Sequence, residues 1–470
     1  MELHDLAERI FFNLPYDPTS QQVELIAALA RFCTVKRRDD PVFLLNGYAG
    51  TGKTSLIGAL VRALHEEEVP VVLMAPTGRA AKVFSAFSGH QASTIHRRIY
   101  RGEPGQMLSF GNEVASNPLS DAVFIVDEAS MIGDERAGGS SLLDDLAQYV
   151  FSGTDCRLIL LGDTAQLPPV GCAVSPAMDV DRLHQLGLHV TKAVMTETVR
   201  QRGHTGLLLN ATRLRKAMRI NPLPAPSIVT RGFDDISVAT AADLPDEINS
   251  SYSSVGIDDT LIVTRSNRRA SLFNQAIRAT ILEHEEELTV GERLMVAKNN
   301  YLWSAKVRGL DFIANGDVAT ISHIYGTEEK YGFRFADVRL SLPDRDVDVE
   351  CKLLLDTLVS DSASLPQERF ADLYRAVLTD PDVFPESVPM SARMKMARRD
   401  PYLNALQVKY AYAVTCHKAQ GGQWKHVYID AGGIASEATL EPEFYRWLYT
   451  AVTRATGHIT LIDPSFAIID

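Results

Sequence analysis

The sequence predicts an α/β protein with two parallel-sheet domains, the second of which is interrupted by a β-rich insertion. Short apolar runs alternate with amphipathic stretches in the first third of the chain, and a second alternation begins near residue 259. Such alternation is typical of parallel sheets whose two faces are covered by helices. A proline-rich break, Asn221–Pro226, lies between the two regions and indicates an exposed connector.

We expect the 470 residues to divide at the limits of these patterns. The predicted parts are a first sheet domain at 1–200 with a small hairpin at about 97–120, a connector at 201–258, a second sheet domain at 259–290 plus 405–470, and an insertion at about 290–405.

Apolar runs of strand length define the first sheet. The predicted strands are Phe43–Leu45, Val71–Met74, Val123–Val126 and Leu158–Leu161, and a helix is predicted at Ser55–Leu64.

The second sheet is predicted to start at Leu261–Val263, followed by a helix at about Asn267–Glu283. Its later strands are predicted at Tyr410–Val414, Val427–Ile429 and Ile459–Ile462. Within the insertion, Arg334–Leu342 and Val347–Leu355 flank a turn and predict an antiparallel pair, and residues 363–400 have a charged, helical character.

Composition restricts the class of protein only broadly. Hydrophobic residues make up 46% and charged residues 23%, as in ordinary globular proteins. No run approaches the length of a membrane span, and the first residues lack a signal-peptide pattern. The five cysteines form no CxxC pair, so we expect reduced thiols in a cytoplasmic protein. The net charge of −12 neither supports nor excludes a nucleic-acid partner, because net charge does not describe a local channel.

A phosphate-binding loop is the most specific local pattern. The segment Gly47–Thr54 fits G-x-x-x-x-G-K-[ST] between a predicted strand and a predicted helix, which is the context that this pattern requires. Backbone N–H groups of such loops bind phosphate oxygens. We predict that Lys53 reaches the β- and γ-phosphates and that the Thr54 hydroxyl ligates Mg²⁺. The candidate nucleotide-binding residues of this segment are Gly47, Ala49, Gly50, Thr51, Gly52, Lys53, Thr54 and Ser55.

An acidic pair follows the third predicted strand. Asp127 is placed to hold Mg²⁺ through its water shell, and Glu128 to orient or deprotonate the attacking water. Acidic pairs usually lie on solvated faces, but the position downstream of a phosphate loop favours the catalytic interpretation. Gln166, after the next strand, is placed to sense the γ-phosphate; an ordinary polar turn is the alternative.

Two arginines are candidates for neutralising the transferred phosphoryl group. Arg200 and Arg454 are far apart in sequence, and a surface arginine is usually only a solvated charge. Phosphoryl transfer requires positive charge near the equatorial oxygens. If Arg454 reaches the nucleotide, the nucleotide must lie in a cleft between the two sheet domains.

Taken together, these segments resemble superfamily 1 helicases of the 5′-to-3′ RecD-like and Dda-like group (superfamily 1B). Eight segments occur in the family's order: Thr19–Gln22 (Q motif), Gly47–Thr54 (motif I), Ala75–Ala81 (motif Ia), Ser93–Arg97 (motif Ib), Asp127–Met131 (motif II), Gly162–Asp163 with Gln166–Gly171 (motif III), Thr415–Gly422 (motif V) and Tyr449–Ala455 (motif VI). One departure is Ala419, where the group often has serine.

The resemblance implies two RecA-like motor domains, a small β-hairpin insertion in the first and an SH3-like β insertion in the second. It also implies ATP and Mg²⁺ as cofactors, with Gln22 reading the adenine. Contacts to single-stranded DNA are implied for Pro76, Thr77, Gly78, Arg79, Thr94, His96, Thr264, Asn267, Lys298, Asn300, His417 and Lys418. Backbone contacts of this kind position a strand without reading its sequence.

Two features leave alternatives open. The strand-splitting pin of the family would fall within 97–120, where Tyr100 and Phe110 are candidates and ordinary packing is the alternative. The basic residues of the insertion face either a phosphate backbone or solvent; they are Arg393, Lys395, Arg398 and Arg399.

We therefore predict an ATP-dependent 5′-to-3′ translocase and DNA helicase that acts as a monomer on single strands and duplex junctions, in replication or repair. One alternative is a remodeller that clamps or displaces bound proteins without separating strands. Another is an RNA-directed motor, because nothing in the sequence reads a 2′-hydroxyl.

Overall fold

The computed structural model describes residues 3–35, 39–101, 113–134, 136–137, 140–199, 205–307, 310, 312–343, 346–385, 387–432 and 441–469. These residues form two compact units. Unit one contains the described residues of Met1–Arg101, Gly111–Val238 and Ala419–Asp470, and unit two those of Ala239–Lys418.

The α-helices are α1 (Leu3–Phe12), α2 (Ser20–Thr34), α3 (Lys53–Glu66), α4 (Gly78–Ser88), α5 (Ile95–Ile99), α6 (Leu142–Phe151), α7 (Val180–Gln185), α8 (Gly206–Ala217), α9 (Leu244–Ser254), α10 (Asn267–Thr280), α11 (Gln367–Thr379), α12 (Met390–Ala397), α13 (Cys416–Ala419) and α14 (Pro442–Val452).

The strands are β1 (Pro41–Gly47), β2 (Val71–Ala75), β3 (Ala92–Thr94), β4 (Tyr100–Arg101), β5 (Glu113–Val114), β6 (Val123–Val126), β7 (Arg136–Ala137), β8 (Ser140–Ser141), β9 (Arg157–Gly162), β10 (His189–Met195), β11 (Ser227–Val229), β12 (Ile236–Ala239), β13 (Thr260–Thr264), β14 (Arg293–Val296), β15 (Val318–Lys330), β16 (Phe333–Leu342), β17 (Val347–Leu354), β18 (Leu406–Tyr410), β19 (Ala413–Thr415), β20 (Trp424–Asp430), β21 (Ala455–Ile462) and β22 (Ala467–Ile469).

A six-stranded parallel sheet forms the centre of unit one, in the order β10–β1–β9–β6–β2–β3. Side chains of β1 alternate between two apolar clusters: Phe43 and Leu45 belong to one, and Val42 and Leu44 to the other. This two-residue period places an apolar layer on each face of the sheet. Every residue of β1 is buried, which explains why the strand reads as an uninterrupted apolar run.

The elements predicted for this sheet are confirmed. Each of the four predicted strands lies within β1, β2, β6 or β9, and the predicted helix lies within α3. Unit one also contains the parallel pair β20–β21, which holds the last two predicted strands. The edge strand β10 was not predicted, because its residues are mostly half-exposed and give a weaker apolar signal.

Unit two combines the parallel pair β13–β19 with a closed barrel of β14, β15, β16, β17 and β18. The predicted antiparallel pair is β16–β17, in which Leu342 lies opposite Val347. The 13-residue strand β15 was not predicted, because its second half is largely exposed and charged. The α/β class with parallel sheets and a β insertion is confirmed.

One predicted strand is wrong. Tyr410–Val414 was expected to be continuous, but Tyr410 ends β18, where it pairs with Leu294 in the barrel. Ala413 begins β19, where it pairs with Ile262 of the parallel sheet. Two buried residues separate the strands, so the apolar run hides a change of sheet. The last barrel strand therefore lies beyond residue 405.

The antiparallel pair β4–β5 is the described part of the predicted small hairpin. Phe110 lies outside the described residues. Tyr100 is half-buried, and its hydroxyl donates to Asp145 Oδ2 at 2.6 Å, as expected for ordinary packing. Within the described parts of the chain, every helix is too short or too polar to cross a membrane.

Candidate functional site

The phosphate loop connects β1 to α3 through two glycines in the left-handed region. Gly50 has φ +75° and Gly52 has φ +77°, a conformation that L side chains rarely adopt. A Cβ at Gly50 would collide with Leu208, and one at Gly52 would collide with the hydroxyl of Tyr16. Both conformation and space therefore require glycine at these positions of the pattern.

Lys53 begins α3, so its backbone lies at a helix N-terminus, where anions are favoured. Its side chain packs back over the loop: a Cβ at Gly47 would lie 2.9 Å from Lys53 Cδ. Thr54 and Ser55 follow in the first helical turn. The predicted nucleotide-binding residues of this segment thus lie in the loop and in the first turn of α3, and their contact with a nucleotide stays a prediction.

Gln22 of α2 forms a hydrogen bond with this loop. It is 1% exposed, and its Nε2 donates to Thr51 O at 2.9 Å. Its Oε1 accepts from the backbone N–H of Thr19 at 3.0 Å and completes a capping box. The sequence did not predict this contact with the loop. Reading of adenine by Gln22 stays a prediction.

The first acidic residue lies beside the loop lysine. Lys53 Nζ is 3.9 Å from Asp127 Oδ1, and both side chains are 12% exposed. Burial raises the pKa of Asp127, whereas the charge of Lys53 opposes the increase and that of Glu128 adds to it. A bound cation would favour the ionised carboxylate at this position.

Among the described residues, two buried oxygens of the predicted catalytic set have no protein partner. Glu128 has φ +52°, and its Oε2 accepts no hydrogen bond. Gln166 is 6% exposed, and its Oε1 is likewise without a partner. Buried polar atoms without partners are rare and mark places that a ligand or water completes.

This donor set fits a magnesium ion carried by a nucleotide. Among the residues that the structure describes, no group of three or more His, Cys, Asp or Glu side chains could hold a metal by itself. Mg²⁺ needs no such cage, because it usually binds one or two protein oxygens together with phosphates and water. Thr54 and Asp127 are the residues that would hold it.

A buried tyrosine connects the loop to the end of β9. The Tyr449 hydroxyl donates to Asp163 Oδ2 at 2.6 Å and accepts from the backbone N–H of Ala49 at 2.9 Å. Asp163 also accepts from the N–H of Ala165 at 2.9 Å. Burial raises the pKa of Asp163, and the charge of Lys53 opposes this increase. Sequence reasoning placed Tyr449 in a motif but assigned it no role.

Arg454 is 4% exposed and donates to the end of α14 and to the turn at Gly422. Its Nε donates to Thr450 O at 3.1 Å, its Nη1 to Gly422 O at 3.2 Å and its Nη2 to Thr453 Oγ1 at 3.3 Å. Its contact with a phosphoryl group stays a prediction. Arg200 lies outside the described residues.

The predicted strand-contact residues after β2 lie at the start of α4. Pro76 precedes the helix, Thr77 is its N-cap and accepts from Ala80 N at 3.2 Å, and Gly78 is its first residue. Arg79 stacks on Trp424, with its Cζ 3.9 Å from the ring centroid, and donates to Gln423 O at 3.4 Å.

Thr94 and His96 are placed by a helix cap. Thr94 is 3% exposed, and its hydroxyl accepts from Arg97 N at 3.3 Å as the N-cap of α5. His96 is half-buried, and burial lowers its pKa. These local hydrogen bonds explain the residue type at Thr94 without a ligand.

In unit two, two of the predicted residues, Asn267 and Lys418, come together after the carboxyl ends of β13 and β19. Asn267 and Lys418 line one cavity of about 30 Å³, with Lys409 and Thr415 among its other walls. The hydroxyl of Thr264 is fully buried and donates to Ser266 O at 3.0 Å.

The two lysines of this cavity are electrostatically linked. Burial and the charge of Lys409 lower the pKa of Lys418 to about 8, and burial lowers that of Lys409 to about 8. Lys418 Nζ donates to Asn315 Oδ1. His417, next to it, is exposed. An anion in the cavity would favour the charged lysines.

The insertion residues differ in how their side chains are used. Lys298 is exposed, with its Nζ 5.1 Å from the Phe370 ring centroid. Asn300 is 7% exposed and spans two backbones: its Nδ2 donates to Asn404 O at 2.7 Å, and its Oδ1 accepts from Leu302 N at 3.1 Å. Contact of either residue with DNA stays a prediction.

The basic residues of α12 and its C-terminal end divide in the same way. Arg393 donates to three backbone carbonyls, those of Val388, Leu378 and Pro385, and therefore has a structural role. Lys395, Arg398 and Arg399 are exposed.

Family models match two parts of the chain. An AAA domain matches residues 20–219, and a UvrD-like helicase C-terminal domain matches residues 410–462. The first holds the phosphate loop, Asp127 and Gln166, and the second holds Lys418, Tyr449 and Arg454. These matches confirm the resemblance to superfamily 1B helicases.

Relatives include proteins of viruses and bacteria. "Uncharacterized protein R530" of Acanthamoeba polyphaga mimivirus is 23% identical over 90% of this chain and 96% of its own length. The "ATP-dependent RecD2 DNA helicase" of Deinococcus radiodurans is 37% identical over 27% of this chain and 16% of its own length. The "ATP-dependent DNA helicase dda" of Enterobacteria phage T4 is 27% identical over 54% of this chain and 55% of its own length. The matched region thus covers nearly all of the mimivirus protein, about half of the phage helicase and a small part of RecD2.

Proposed function

We propose that this chain, which carries an AAA domain and a UvrD-like helicase C-terminal domain and is homologous to RecD2 and Dda, is an ATP-dependent 5′-to-3′ single-stranded DNA translocase and DNA helicase. The observation that carries the proposal is the approach of Lys53 Nζ to Asp127 Oδ1, at 3.9 Å, beside the phosphate loop. Glu128 follows Asp127 in the chain, and Gln166 follows Asp163, whose pKa the charges of Lys53 and Glu128 influence. Oxygens of Glu128 and Gln166 that accept no hydrogen bond from the described residues suit a hydrolytic site for a nucleoside triphosphate.

Each residue of this group has a separate task in the proposed hydrolysis. Lys53 neutralises the phosphates, and Thr54 and Asp127 hold the nucleotide-borne Mg²⁺, which supplies charge stabilisation when bound. Glu128 accepts a proton from the attacking water through its carboxylate. Gln166 orients that water or senses the loss of the γ-phosphate. Arg200 and Arg454 remain the proposed phosphoryl-contacting arginines.

The strand-binding part of the proposal is supported by position. Thr77 and Arg79 follow the carboxyl end of β2, and Asn267 and Lys418 lie at the carboxyl ends of β13 and β19. Ligand sites of open α/β sheets gather at such ends. We propose that each of two RecA-like domains, with the boundaries 1–200 and 259–290 plus 405–470, contacts the strand, and that ATP binds in the cleft between them.

We place this activity in the cytoplasm. The five cysteines are free thiols, and four of them are buried, as suits a reducing compartment.

The test is ATP hydrolysis and strand separation on matched DNA substrates, with Lys53→Ala as the hydrolysis-deficient control. We expect a weak basal ATPase that single-stranded DNA stimulates strongly, and unwinding of duplexes with a 5′ tail. Unwinding only from 3′ tails would refute the polarity. ATPase stimulation without strand separation would favour the protein remodeller, and stronger stimulation by RNA would favour the RNA-directed motor.

A further inference from the structure

Tyr449 makes a two-sided contact at the nucleotide site that the proposed hydrolysis does not use. The residue is 1% exposed and lies in α14, a helix with eight buried residues. Its hydroxyl is both a donor, to Asp163, and an acceptor, from Ala49 in the phosphate loop. The loop conformation is therefore tied to the position of α14.

The next residue of α14 is tied to the segment after β9. The backbone N–H of Leu167 donates to Thr450 Oγ1 at 2.8 Å. The carbonyl of the same Leu167 accepts from Gln420 Nε2 at 2.7 Å, and Gln420 is buried. One residue beside Gln166 is thus held from both sides by the segment 419–470.

The turn after Gln420 reaches the start of α4. Gly421 has φ +72°, and a Cβ there would lie 3.3 Å from Thr77 Oγ1. The carbonyl of Gly422 accepts from Arg454 Nη1 at 3.2 Å. The turn at Gly421 therefore lies next to Thr77, the N-cap of α4, where we place a contact with the strand. From this turn, the hydrogen bonds of Gln420, Leu167 and Thr450 lead to Tyr449 and the phosphate loop.

We propose that Tyr449 is the positioning residue that couples the nucleotide at the phosphate loop to the DNA strand at Thr77, the N-cap of α4. This inference rests on the proposed function. Occupation of the phosphate loop moves or releases the Ala49 N–H, and Tyr449 transmits the change to α14 and to Arg454, five residues later. Burial and the neighbouring Asp163 raise the pKa of Tyr449, so its hydroxyl keeps the proton that it donates.

A contiguous network shows coupling only when a perturbation changes it. Tyr449→Phe removes both hydrogen bonds but keeps the buried ring. The matched control is Tyr445→Phe, one turn earlier on the same helix, where the hydroxyl is also part of a buried residue and donates to Pro224 O. Gln420→Leu breaks the same series of contacts at a second point.

The readout is the affinity for an oligothymidylate, measured with and without a non-hydrolysable ATP analogue, together with ATPase KM and kcat. We expect Tyr449→Phe to leave the affinity for either ligand alone within about threefold. The coupling factor, by which the ATP analogue changes the affinity for DNA, should fall at least about tenfold. The factor by which DNA changes the affinity for the analogue should fall by the same amount. Gln420→Leu should reduce the same factor.

Four outcomes separate the possibilities. An unchanged coupling factor in Tyr449→Phe overturns the proposal, as does an equal loss in Tyr445→Phe. Loss of folding in Tyr449→Phe leaves the decision to Gln420→Leu, whose unchanged coupling would overturn it. Absence of DNA-stimulated ATPase in the unaltered protein refutes the proposed function itself. That result needs no variant, so it is distinguishable from a failure of the coupling proposal.

Discussion

Replacement of Glu128 by glutamine tests the catalytic assignment with little change of shape. Glutamine keeps the volume of the side chain but cannot accept the proton of the attacking water. Removing a general base costs about 10²–10⁴ in rate, which corresponds to roughly 2.7–5.4 kcal/mol in the activation free energy. We therefore expect kcat to fall by about two to four orders of magnitude.

The structure also predicts what Glu128→Gln leaves unchanged. Glu128 Oε2 has no hydrogen-bond partner in the part of the chain that the structure describes, so the substitution loses no bond to those residues at that atom. The negative charge that raises the pKa of Asp127 disappears. The free energy of unfolding should therefore change by less than about 1 kcal/mol, and ATP affinity should stay within about threefold.

The assay is single-turnover ATP hydrolysis with saturating single-stranded DNA, beside titration with a fluorescent ATP analogue and urea denaturation. Glu24→Gln, an exposed carboxylate of α2, is the control for charge removal. Retention of more than about a tenth of kcat in Glu128→Gln would show that another group accepts the proton. An equal loss of ATP affinity and rate would assign Glu128 to binding instead.

Two further predictions concern stability. Gly52→Ala should lower the free energy of unfolding in urea by more than the roughly 1–2 kcal/mol of left-handed strain, because the added Cβ would collide with Gln22 and Tyr16. Gly187→Ala is the control, since Gly187 has φ +79° but open space around it, and it should show the strain alone. Equal losses of stability in the two variants would contradict this. Burial, with the charge of His458, lowers the pKa of His426 to about 4, below its unfolded value of 6.5, so the unfolded state takes up the proton first. Stability should fall by about 1–3 kcal/mol as pH drops from 6.5 towards 4, and His426→Phe should remove most of this dependence in urea titrations across that window.

Local sequence patterns predicted the first sheet and its loop because their causes are local. The apolar run of β1 reflects burial on both faces, and the glycines of the loop reflect backbone angles that only glycine adopts readily. The position of Asp127 after a buried strand followed from the same reasoning. Each of these features depends on residues a few positions apart.

Other predictions depended on partners that the sequence does not show. The apolar run at Tyr410–Val414 concealed a change from barrel to parallel sheet, because both environments bury their residues. The hydroxyl of Thr94 caps a helix, a partner that the sequence did not indicate, and the contact of Thr94 with DNA stays a prediction. Asn300 likewise uses its amide on the backbones of its own unit.

The sequence by itself determined the phosphate loop, the acidic pair Asp127–Glu128 after a buried strand, and the order of the segments that resemble the family. Only the tertiary structure decided that Gln22 donates a hydrogen bond to Thr51 and that Tyr449 accepts one from Ala49, 400 positions away. The physical reason is that glycine angles and strand burial are properties of short segments. A buried hydroxyl, by contrast, is satisfied by whichever groups the packing of distant elements brings within about 3 Å.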